Sequence, residues 1–251
     1  MKPIGLQLYS LREEAKNDFV GVLKKVAKMG YVGVEPAGLH GMTAKDVRKV
    51  IDDLGLVCCS THGPFPTKEN VAARIDEAAA LGTKLLISGF GPKDFATPEA
   101  RKTSVDRLND AAGLVSGKGM MFGYHNHWWE FDTIDGEMPY DMILAEVPGM
   151  FSELDIYWAR NFGTVDVTKV LAKYGKRVPL LHVKDGPLVR DQPHTAVGAG
   201  KMDIPAIVNA ADPNVLQWLI VELDNCGTDM ATAVAASVKY LADKGLGKAK
   251  K

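Results

Sequence analysis

Residues 31–90, YVGVEPAGLHGMTAKDVRKVIDDLGLVCCSTHGPFPTKENVAARIDEAAALGTKLLISGF, alternate between two kinds of segment. YVGVEPAG, LVCCSTHG and KLLISGF are short and apolar, and read as strands. AKDVRKVIDDLG and KENVAARIDEAAALG between them are longer and amphipathic, and read as helices. The same rhythm continues in both directions. IGLQLY is a strand, and Asn17-Asp18 start a helix whose Phe19, Val22, Leu23, Val26 and Ala27 share a face before Gly30 stops it. Downstream, PEARKTSVDRLNDAAGLVSGKG is a helix with Pro98 in its first turn. MMFGYHNH, FSELDIYW, VPLLHVKD and QWLIVELD are strands, each followed by a further helical run. Eight strand–helix units with no linker between them predict a parallel sheet closed on itself, a single (β/α)8 TIM barrel over residues 1–251. An open doubly wound sheet is the alternative. Its phosphate loop, GxGxxG, is missing from the first turn, YSLREEAKND.

The 251 residues carry 30 Lys and Arg against 31 Asp and Glu, for a net charge of -1. That balance argues against a protein built to hold nucleic acid or an anionic membrane. No apolar run approaches a membrane span, and the start of the chain lacks a secretory core. With three cysteines, two of them adjacent (Cys58, Cys59, Cys226), the chain is expected to be cytoplasmic with free thiols. The end, GLGKAKK, reads as a solvated tail.

Barrel enzymes work at the C-terminal ends of their strands. Those ends carry Gln7 and Tyr9, Glu35, His62, Ser88, then His125, Asn126 and His127, then Asp155, then His182 and Lys184, and last Glu222 and Asp224. Four of the six histidines therefore fall at strand ends. Asp155 and Glu222 sit inside apolar runs, where an unpaired carboxylate is costly. A shared divalent cation satisfies them together with His182, and an Arg or Lys partner is the alternative. Oxygen-rich donors favour Mn2+, with Zn2+, Co2+ or Mg2+ as alternatives.

At these residues the chain resembles the xylose isomerase-like TIM-barrel family of sugar isomerases and epimerases, which also includes inosose dehydratases and the endonuclease IV type of repair enzyme. The resemblance spans nearly the whole chain through GYVGVEPAG, YHNHWWEF, ELDIYWARNFG, LLHVKDG, VGAGKMDIPAI and LIVELD. It implies one metal held by Asp155, His182 and Glu222. Many relatives supply a glutamate where this chain has His125, so the resemblance assigns the fourth ligand to Glu130, with His127 as runner-up. Trp158 stands where epimerases of the family often have a histidine, which weakens the case for simple 3-epimerisation.

A site of this kind acidifies the C–H beside a carbonyl, and a base removes the proton to give an enediolate. Candidate bases are His62, His125 and His127; Lys184 and Glu222 are placed to hold charge or substrate. Glu35, Trp128, Trp158 and Arg160 are candidate substrate contacts, the tryptophans by stacking on sugar C–H faces or else by packing. The function expected is a divalent-metal-dependent isomerase or epimerase on a sugar or cyclitol. A keto-sugar or inosose lyase and a non-catalytic sugar-binding barrel are the alternatives. No nucleic acid or membrane partner is expected, and a homo-oligomer is allowed for. Asp185 is expected to face away and hold a loop, and Gly198-Ala199-Gly200-Lys201 to form a mobile loop over the site.

Overall fold

The computed structural model describes residues 1–134 and 136–250. Its strands are β1 (Lys2–Gln7), β2 (Gly33–Glu35), β3 (Val57–Cys58), β4 (Thr61–His62), β5 (Leu85–Ser88), β6 (Met121–His125), β7 (Phe151–Asp155), β8 (Leu180–Val183), β9 (Trp218–Val221) and β10 (Gly247–Lys248). The first nine run parallel in the order β3-β2-β1-β9-β8-β7-β6-β5-β4, with helices between them. This is the expected barrel, with the third strand divided into β3 and β4.

The division has a local cause. Cys59 packs with the apolar residues inside the barrel, and the next residue, Ser60, donates its hydroxyl to Glu35. Two consecutive side chains thus serve the interior, as in a bulge, where a regular strand alternates. The backbone still spans the kink: Cys59 N donates to Val34 O at 3.0 Å and His62 N to Pro36 O at 2.9 Å. β3 pairs with β2, and β4 with β5, so the two ends of the sheet meet in one segment and the barrel closes.

The helices form where their caps and apolar stripes place them. Asp18 Oδ1 accepts from Gly21 N at 2.7 Å and starts Phe19–Met29, and Thr97 Oγ1 accepts from Ala100 N at 3.1 Å and starts Pro98–Val115. Their apolar faces join the main core, which lies between the helices and the outer face of the barrel.

Inside the barrel the side chains grade from apolar to ionisable. Leu85, Ile87, Phe151, Leu180 and Ile220 fill the lower part, with Trp218 packed against them. Gly123 makes room for this plug, since a Cβ there would lie 2.3 Å from the Phe151 ring. Two residues further along the same strands stand Glu153 after Phe151, His182 after Leu180 and Glu222 after Ile220. A strand alternates its faces, so these side chains also point inward, one layer nearer the mouth. Asp155 and Lys184 form the next step.

Two expectations are corrected. The tail is not wholly solvated: β10 pairs with β1 (Lys2↔Gly247), and Lys250 N donates to Gly30 O at 2.7 Å. The loop at 198–201 is pinned rather than loose. Asp185 accepts from Gly186 N, Gly198 N, Gly200 N and Met202 N at 2.8–3.1 Å, the loop-holding role expected of it. A Cβ at Gly200 would fall 2.0 Å from Asp185 Oδ1, so only glycine fits beneath that carboxylate.

Candidate metal centre

Asp155 ends β7 and caps the short helix Ile156–Ala159. Its Oδ1 accepts from Tyr157 N at 3.0 Å and Trp158 N at 2.9 Å, which leaves Oδ2 for the barrel mouth. His125 Nε2 lies 3.4 Å from that Oδ2 and 3.7 Å from Glu222 Oε2. His182 Nδ1 lies 2.8 Å from the same Glu222 oxygen. One ligand atom from each of His125, Asp155, His182 and Glu222 falls within 4.8 Å of the others, and all four residues are buried. Lys184 enters this outer group from β8: its Nζ is 2.9 Å from Asp155 Oδ2, 2.8 Å from Glu222 Oε2 and 2.9 Å from Asp224 Oδ2. The ammonium also lies 5.4 Å from the centre of the Trp158 ring.

A second group lies against the first. His62 Nε2 is 2.5 Å from Glu153 Oε2, and His182 Nε2 is 2.8 Å from Glu35 Oε1. Gln7 donates to Glu35 Oε1 at 2.6 Å, and Ser60 to its other oxygen. His182 thus turns one ring nitrogen to each group. Sequence reasoning missed Glu153. The available signal was parity: it stands two residues before Asp155 on one strand and shares its face.

Electrostatics follow from burial and these neighbours. Burial opposes ionisation of Asp155, but the Lys184 ammonium and His125 outweigh it and hold the carboxyl at about 2. Glu222 is likewise held well below the usual carboxylate range by Lys184 and His182 against the cost of burial. Burial disfavours charge on His182 and His62, yet Glu35 and Glu153 raise both. Burial, joined by His125, keeps His127 well below the usual histidine range, so it is neutral.

A cavity of about 410 Å3 opens onto the outer group, lined by Gln7, Tyr9, His62, His125, His127 and Glu222 among others. The remaining sequence candidates stand elsewhere. Glu130 is buried outside both groups: its oxygens accept from Tyr124 Oη at 2.5 Å and from His127 N at 2.9 Å, so it braces the turn after β6. Burial lifts its carboxyl to about 8 despite the Tyr124 hydroxyl. Trp128 packs edge-on to Trp129 at 5.5 Å and under the Arg190 guanidinium at 4.0 Å. Trp158 packs against His194 at 5.1 Å, and Arg160 donates to Val165 O within its own loop. The residues lining the cavity do not include Glu35, Trp128, Trp158 or Arg160.

The donors fit a divalent cation. Two carboxylates and two imidazoles present O and N atoms to one point. Asp155 Oδ2 and His125 Nε2 are buried without a hydrogen-bond partner among the described residues, the ammonium beside Asp155 being close but not aligned. His125 takes the strand position at which the family resemblance expects a glutamate.

Comparison with known proteins agrees with this fold. The fold and 27% of the sequence match a sugar phosphate isomerase/epimerase from Parabacteroides distasonis, with TM-score 0.82 over 98% of this chain and 96% of that one. The fold is also that of the IOLI protein with a bound zinc atom, at 15% identity and TM-score 0.73 over 97% of each chain. A D-allulose 3-epimerase from Methylomonas sp., solved with D-allulose, shares it at 17% identity and TM-score 0.69 over 96% of each chain. No curated protein matches the sequence significantly. The model of the xylose isomerase-like TIM barrel matches residues 23–244, and the chain belongs to that family.

Proposed function

We propose that the protein is a divalent-metal-dependent isomerase or epimerase that moves a proton on the carbon beside the carbonyl of a sugar or cyclitol. The observation that carries this reading is the buried His125, Asp155, His182 and Glu222 group, of which His125 and Glu222 line a sugar-sized cavity. A zinc-bearing structure and a sugar-bound one of the same fold support it. A cation held by these four residues supplies Lewis-acid polarisation of a carbonyl and its neighbouring hydroxyl.

The chain's own residues supply the rest. His127 lines the cavity as a neutral imidazole and is the base that takes the proton from the carbon beside the carbonyl. In isomerisation the proton returns to the former carbonyl carbon as the hydroxyl proton passes to the former carbonyl oxygen, and in epimerisation a proton from water returns to the opposite face of the same carbon. Its ring is held by stacking on Trp129 at 4.2 Å. Lys184 keeps a positive charge beside Asp155 and Glu222, where negative charge develops on substrate oxygen. Gln7 and Tyr9 at the cavity wall are placed to bind hydroxyls.

Proton transfer is read directly by deuterium uptake. The protein loaded with Mn2+ or Zn2+ is incubated in D2O with a panel of keto-sugars and inososes, and the C–H beside the carbonyl is followed by NMR. Exchange is expected with at least one substrate, falling about 10²–10⁴-fold in His127→Gln. No uptake across the panel by metal-loaded protein would leave a sugar-binding barrel instead.

A further inference from the structure

Four donor atoms beside the outer group close a ring that the proposed reaction does not use. Glu35 Oε1 faces His62 Nε2 at 3.2 Å, and His62 Nε2 faces Glu153 Oε2 at 2.5 Å. Glu153 Oε2 faces His182 Nε2 at 3.1 Å, and His182 Nε2 returns to Glu35 Oε1 at 2.8 Å. Oxygen and nitrogen alternate around it. We propose that this ring is a second divalent-cation site, closed and four-coordinate, beside the outer one and sharing His182 with it.

Three observations support a cation here over protons alone. The first is size. An ion with zinc-like bonds of about 2.0 Å in a tetrahedral set places its ligand atoms about 3.3 Å apart. Three of the four ring edges lie within about 0.5 Å of that spacing. The second is hydrogen bonding. Besides Gln7 Nε2, which donates to Glu35 Oε1, only the two Nε2–H bonds of the histidines point into the ring, so each of these has to be divided between two carboxylates. Glu153 Oε1, fully buried, has no hydrogen-bond partner among the described residues. The third is charge. With the inner site alone filled, two carboxylates and two neutral imidazoles around a divalent ion form a neutral set, which is what a buried position demands; with both sites filled, the added charge of the shared His182 imidazolate is offset by the Lys184 ammonium.

The donor set selects Zn2+ or Co2+ over Mg2+ and Ca2+, which prefer oxygen alone. His62 then acts as a ligand and not as an acid or base. With both sites filled, His182 gives Nε2 to the inner ion and Nδ1 to the outer one, and its ring proton leaves to solvent. The inner site has no open coordination position, so it fixes the His182 ring against the reacting centre without touching substrate.

The experiment is equilibrium dialysis of the full chain against Zn2+ followed by elemental analysis of the parent, Glu153→Gln and Asp155→Asn. Circular dichroism checks folding, and His62→Asn replaces Glu153→Gln if that variant does not fold. Two equivalents in the parent and one in each variant are expected. Co2+ loading of Asp155→Asn should then give the intense visible bands of a four-coordinate ion. One equivalent in the parent that Asp155→Asn abolishes and the inner variants keep overturns the inner site and leaves the proposed reaction standing. One equivalent lost in the inner variants and kept in Asp155→Asn supports the inner site and removes the outer one. No bound metal in any form overturns both.

Discussion

Lys184 is fully buried, and its charge persists there because Asp155, Glu222 and Asp224 all face it at 2.8–2.9 Å. The ammonium competes with a cation for two of the same oxygens. Lys184→Met is therefore expected to tighten Zn2+ binding about tenfold or more, near 1.4 kcal/mol. It should also destabilise the metal-free protein by roughly 3–5 kcal/mol, because two carboxylates lose their buried partner. Calorimetric titration and paired melting curves measure both, and unchanged affinity would remove the competition argument. At this scale much of the site was legible. Asp155, His182 and Glu222 announce themselves as ionisable residues at the ends of apolar runs. Glu153 does not, because Ser152-Glu153-Leu154 reads as the body of a strand and only its parity with Asp155 marks it. Glu130 is the fourth ligand that the resemblance assigns, but no spacing rule reveals that Tyr124 and His127 take up its oxygens.

At the scale of elements, the loop after β8 depends on one carboxylate. Asp185→Ala leaves four backbone N–H groups without their acceptor. It is expected to cost about 2–4 kcal/mol and to speed protease cleavage within residues 196–202, with Asp185→Asn recovering part of both. Limited proteolysis beside urea unfolding tests this; equal cleavage rates would show that the loop is held by other contacts. The turn after β6 carries a pH dependence. The Glu130 carboxyl is raised to about 8 in the fold, so the stability tied to its proton is complete below the ordinary carboxylate range and is lost as pH rises through about 8. Stability should decline across that interval by at most about 1.4 kcal/mol per pH unit, and Glu130→Gln should flatten the decline. Urea midpoints across the interval provide the measurement. The alternation of periods predicts the strands and helices, whereas the kink at Cys59 and Ser60 escapes it. Both residues suit a strand, and only the demand of Glu35 for a donor turns Ser60 inward.

For the whole molecule, the near-neutral balance of -1 conceals a strong local imbalance. Five carboxylates gather at one end of the barrel: Asp155, Glu222 and Asp224 around the Lys184 ammonium, and Glu35 and Glu153 against His182. Composition averages such a feature away; strand order creates it, by bringing residues from both ends of the chain to one mouth. A cation that binds the fold and not the unfolded chain adds about 2.7 kcal/mol at one hundred times its Kd. Chelation should therefore lower the melting temperature, and Zn2+ should restore it in a concentration-dependent way. Differential scanning calorimetry with and without chelator checks this, and a melting temperature indifferent to chelator would count against the cation. The described residues include no helix long and apolar enough to cross a membrane. Cys58 and Cys59 are buried and Cys226 is half-buried, each as a free thiol.

The Lys184 ammonium over the Trp158 ring gives the protein an optical property. Indole emission responds to the electric field across the ring, and here the field source is an ammonium that shares two carboxylate oxygens with an incoming ion. Of the four tryptophans, Trp158 faces this charge, and Trp129 lies against the proposed base. Occupancy of the barrel mouth is therefore written into the intrinsic fluorescence, and titrations can be followed without a dye or label.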